Sequence, residues 1–81
     1  MDKGLADKFK KNVGSFVVVD YQTPNGSTET AMGKLESVSD DGQVYIIHLK
    51  DPRISWGFNL NHVVIERHKF SPIKDGGEKD V

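Results

Sequence analysis

The stretch Gly33-Lys34-Leu35-Glu36-Ser37-Val38-Ser39-Asp40-Asp41-Gly42-Gln43-Val44-Tyr45-Ile46-Ile47-His48-Leu49 decides the fold. Two strand-like runs flank Asp40-Asp41-Gly42, which is a tight hairpin signal. The first run covers residues 29–39 and contains Gly33. Glycine inside a strand marks a bend or a bulge. Leu35 and Val38 are three apart, so the simple alternation breaks at that point. The second run, Val44 to Lys50, is the most apolar of the chain and reads as buried on both faces. A strand bent strongly at one glycine is able to serve both halves of a small barrel.

Toward the N-terminus, Ser15 to Tyr21 is rich in β-branched and aromatic side chains, with Val17, Val19 and Tyr21 on one face. Turn chemistry follows in Thr23-Pro24-Asn25-Gly26-Ser27. Before it, residues 2–13 read as a short amphipathic helix, because Leu5, Phe9 and Val13 recur at four-residue spacing. Asp2 favours its start. Lys8, Lys10 and Lys11 complement the dipole at its end, and Gly14 is the expected stop. So short a helix must pack on something to persist.

Toward the C-terminus, Asp51-Pro52-Arg53 breaks the chain. Ile54, Trp56, Phe58 and Leu60 then alternate with Ser55, Gly57 and Asn59 as a half-buried strand. Residues 59–62 read as a short corner, and Val63 to Arg67 as the last strand. The polar segment from Ser71 on reads as a disordered tail. The expected fold class is therefore mainly β: a short helix, then a five-stranded, strongly bent antiparallel SH3-like barrel. One domain spans residues 1–70, and the tail spans 71–81.

Composition narrows the function classes. At 81 residues the chain buries a small share of its surface, so its stability is thin unless something adds to it. With no cysteine, disulfides and thiolate metal sites are excluded. Three scattered histidines do not make a metal site. Oligomerisation is then the remaining extra source of stability, unless the core suffices alone. The N-terminus lacks the long apolar run of a signal peptide, and no run is long enough to span a bilayer. The expectation is a soluble, cytoplasmic protein. With 11 basic and 12 acidic residues, any nucleic-acid contact must come from a local patch. Phosphate loops, metalloprotease helices and nucleophile elbows are absent from the sequence, which points to a binding module and not an enzyme.

Several residues carry the layout of a known family. Val17-Val18-Val19 open the first strand. Gly33-Lys34-Leu35-Glu36-Ser37-Val38 is similar to a glycine, leucine and hydrophobic motif. A short corner precedes Val63-Val64-Ile65. Over about residues 3–68 the chain resembles the Sm/LSm family, including its bacterial Hfq-type branch. Ser39 stands where the family carries an Asp. At the corner, Asn61-His62 stands where the bacterial branch carries a Lys-His pair. The resemblance implies a homo-oligomeric ring of about five to seven copies that binds single-stranded RNA without cofactor or metal. It also implies RNA contacts at Asn61, His62, Ser39 and Asp40, and subunit contacts between the fourth strand of one copy and the fifth of the next.

From the residues themselves, Trp56 and Phe58 either stack on bases or fill a core or subunit interface, and burial is the usual role of large aromatics. Val63, Val64 and Ile65 leave an edge that tends to find a partner. Asn61 suits a tight corner, and Asp40 and Asp41 suit a hairpin turn. Tyr45 is out of phase with Val44 and Ile46 and faces out or packs across strands. His48 reads as a satisfied core histidine. Lys8 and Lys11, with Lys3 and Lys10, form a basic cluster that either touches a phosphate backbone or is a solvated helix face. A second function class fits the same pattern: a barrel used for protein assembly, without nucleic acid.

Overall fold

The computed structural model describes residues 3–73. One helix, α1 (Lys3–Lys11), precedes five strands: β1 (Phe16–Gln22), β2 (Thr28–Val38), β3 (Gln43–Ile47), β4 (Ser55–Asn59) and β5 (Val64–Ser71). All neighbours are antiparallel, in the spatial order β4-β3-β2-β1-β5. The expected barrel is corrected here: the sheet is not closed, and β4 and β5 are its two opposite edges. At the corner between them, Leu60 N–H donates to the Gly42 carbonyl at 2.8 Å, which ties the corner to the β2–β3 hairpin, and His62 N–H donates to that of Asn59 at 2.8 Å, which closes the corner itself.

The core lies between one face of the sheet and the helix. It contains Ala6 and Phe9 of α1; Val17, Val19 and Tyr21 of β1; Ala31 and Leu35 of β2; Val44 and Ile46 of β3; Phe58 of β4; and Leu60. Among the described residues no polar or charged side chain is buried with them. This is the pattern of a sheet with one dry face, where inward residues alternate with outward ones.

The bend in β2 has two parts. At Gly33 a Cβ would lie 2.1 Å from the Ile47 carbonyl oxygen, so only glycine lets the two strands approach there. The β2–β3 register then shifts between Leu35 and Ser37, a bulge that leaves Glu36 as the extra residue. The three-residue spacing from Leu35 to Val38 is the sequence trace of that bulge. Gly42 (φ 91°) closes the following hairpin, as Asp-Asp-Gly predicts.

Other boundaries differ from the sequence expectation. Helix α1 ends at Lys11, so Val13 is exposed, and Gly14 (φ 97°) terminates the turn that follows. Gly14 N–H bonds to the Leu35 carbonyl at 2.8 Å and Leu35 N–H to that of Ser15 at 2.9 Å, which fastens the linker to β2. Strand β3 stops at Ile47, not at Lys50, and is buried on one face alone: Val44 and Ile46 are fully buried, whereas Tyr45 is 43% exposed; Leu49, beyond the strand, is exposed as well. His48 ends it. Its Nδ1 accepts the N–H groups of Lys50 at 3.2 Å and Asp51 at 3.0 Å, which turns the backbone out of the sheet. Strand β5 runs on to Ser71, beyond the expected end at Arg67. A register shift between Asp20 and Tyr21 leaves Glu66 as a second bulge, after which His68 and Phe70 carry the inward face. Ser71 is thus strand and not tail. Asp2 and residues 74–81 of the expected tail lie outside the described residues.

Candidate functional site: the hairpin corner and the sheet edges

Two turns distant in sequence meet at one end of the sheet. The Asp41 carbonyl accepts Nδ2 of Asn61 at 2.9 Å and Nδ2 of Asn59 at 3.3 Å. Asn59 Oδ1 in turn accepts the Asn61 N–H at 2.8 Å. Ser39 Oγ donates to the Asp41 carboxylate and accepts the Gln43 N–H at 3.0 Å. The hydroxyl of Ser39 holds Asp41 below the usual carboxylate range, with the backbone N–H groups adding to it. Asp40 projects into solvent and pairs with Lys10 at 3.0 Å. So exposed a pair adds little stability, but it brings α1 beside the hairpin.

The candidate RNA residues are therefore not all in one place. Ser39, Asp40 and Asn61 come together, and His62 follows on the exposed side of the corner. The basic residue that reaches them is Lys10, not Lys8 or Lys11. Lys8 sits near His68 of β5, and Lys11 is exposed at the end of α1. Asn59, which supplies two of the side-chain bonds of the cluster, was missed in the sequence because alternation marks it as an ordinary outward strand residue.

The candidate interface residues occupy the two edges. Phe58 is buried within the chain, opposite Val44, and its ring lies 4.3 Å from that of Tyr21. Burial raises the Tyr21 hydroxyl above its ordinary value, with the carboxylate of Glu29 adding to it. Trp56 is half-buried opposite Ile46, with its ring 6.2 Å from His48. Val63 and Ile65 pack partly against the core, whereas Val64 is 61% exposed. An open groove of about 610 Å³ runs at the β5 edge, lined by Val18, Asp20, Glu66, Arg67, His68 and Lys69. Within it Arg67 grips Asp20 at 2.9 Å, and Thr30 donates to the same carboxylate at 2.7 Å.

Among the described residues no group of three or more His, Asp or Glu is placed to hold a metal, and no helix is long and apolar enough to cross a membrane. No family model, curated protein or solved structure matches this chain.

Proposed function

We propose that this chain is the subunit of an Sm-like homo-oligomeric ring that binds RNA and catalyses no reaction. The observation that carries the reading is the strand order, which leaves β4 and β5 as free edges at opposite ends of one bent sheet. Unpaired edges seek partners. β4 of one copy fits against β5 of the next as an antiparallel continuation of the sheet. Such a contact is head-to-tail, and when its rotation closes it gives a ring. Trp56, Val63, Val64 and Ile65 flank that joint and supply its apolar surface, while Phe58 supports it from inside. A cysteine-free sequence suits the reducing cytoplasm.

In the ring, each copy contributes one hairpin corner. His62 offers a ring for stacking and a donor for phosphate, and Asn61, Ser39 and Asp40 flank it. The net charge of −1 makes this a weak electrostatic site that reads RNA through local contacts. RNA binding measured at low salt should fall on His62→Ala and again on Asn61→Ala. Protein that binds no RNA at low salt, freed of any co-purified nucleic acid, sinks the RNA half of the proposal.

A specific observation favours a second reading, an assembly scaffold without nucleic acid. The Asn61 amide is already engaged by the Asp41 carbonyl, and the Ser39 hydroxyl favours the charged form of the Asp41 carboxylate beside it. Both features oppose a phosphate backbone. A nuclease-insensitive protein partner, recovered together with failed RNA binding, is the outcome that reading predicts.

A further inference from the structure

On its β5 side, helix α1 seats Phe9 against two rings of the sheet. Phe9, fully buried, meets Phe70 edge-on at 5.1 Å, and His68 lies 5.8 Å from Phe9 and 5.6 Å from Phe70. His68 faces inward from β5, opposite Val19 of β1, so its three neighbours Phe9, Phe70 and Val19 are all apolar. From α1 it faces Lys8. On its own strand, Glu66, Arg67 and Lys69 share the groove with it, and from β1 comes Asp20, whose carboxylate is taken by Arg67 and Thr30. Among the described residues no carboxylate forms an ion pair with the half-buried His68 ring.

We propose that His68 is a proton-sensitive latch for α1: neutral, its ring completes the aromatic seat of Phe9; protonated, it places a cation beside Lys8 with no carboxylate partner among the described residues, and the helix lets go. Burial, and then the charge of Lys8, hold His68 below the ordinary histidine range. The sign follows. The unfolded or undocked ring takes up a proton first, so the stability of docking is complete above the ordinary histidine value. It is lost as pH falls from there through the depressed value of the docked ring. Release would bare Phe9 and Phe70, an apolar surface hidden at neutral pH.

The test is amide hydrogen exchange of the full chain, read residue by residue, between about pH 7.5 and about pH 5, the range in which histidine titrates. After correction for intrinsic exchange, α1 amides should lose protection several-fold on acidification while those of β2 and β3 do not. In His68→Phe, which keeps an aromatic seat, the loss should vanish. An α1 that stays equally protected in the wild type, or that loosens equally in His68→Phe, overturns the latch. Should His68→Phe fail to fold, Lys8→Gln provides the second arm. Removing the repelling cation should move the His68 titration midpoint upward, and an unmoved midpoint contradicts the proposal.

Discussion

A methyl group at position 33 would sit 2.1 Å from the Ile47 carbonyl oxygen, a distance that real Cβ atoms do not tolerate. Gly33→Ala should therefore force β2 and β3 apart and cost about 2–4 kcal/mol, measurable as a lowered urea midpoint with little change in slope. Asp41 is a second residue-scale test. Its carboxyl is held low chiefly by the Ser39 hydroxyl. The contribution to stability is present above the ordinary carboxylate value and is lost as pH falls through the depressed folded one. Ser39→Ala should raise the Asp41 midpoint toward ordinary, followed by carboxyl chemical shifts; an unchanged midpoint removes the hydroxyl as the cause. At this scale much was legible. Gly33 and the Leu35–Val38 spacing announced the bend, and Asp-Asp-Gly announced the turn. The long-range bonds of Asn59 and Asn61 were not, because their acceptor is a backbone carbonyl some 20 residues away that no side-chain pattern records.

Among the elements, α1 depends on burial and not on its own propensity, since nine residues are too few to hold a helix in water. Phe9→Ala should cost about 3–4 kcal/mol and reduce helical circular dichroism more than sheet signal. A helix that stays fully formed would show that Ala6, Leu5 and the Gly14–Leu35 bond anchor it without Phe9. The strands show where pattern reading stops. In β2 the three-residue spacing between Leu35 and Val38 reads as a bend or bulge because Gly33 stands beside it. The same spacing from Ile65 to His68 has no glycine beside it, and the sequence pattern ends the strand at Arg67 where the structure continues it to Ser71. Histidine and lysine there mask an inward face that needs only His68 and Phe70. In β3 the error ran the other way: Ile47-His48-Leu49 looks like buried strand. The His48 imidazole instead caps the following backbone N–H groups and sends Leu49 into solvent.

For the whole molecule, the sequence indicated helix-then-strands but not the pairing of β1 with β5, which joins distant segments and leaves no local trace. The open sheet and its two edge strands are set by the strand order β4-β3-β2-β1-β5. Val64, exposed at the β5 edge, carries the assembly prediction. Val64→Lys should change folding stability by less than about 0.5 kcal/mol, as surface substitutions do, yet dissociate the assembly, because a charge on an edge blocks strand pairing. An assembly that survives Val64→Lys unchanged would place the joint elsewhere.

The edge-to-edge ring is tested most directly by the native mass of the full chain, taken by light scattering after nuclease treatment. The account predicts one discrete species of about five to seven 9.0 kDa subunits, stable on dilution. A mass of one or two subunits at every concentration would contradict it and leave the two edges of the sheet without the partner assigned to them.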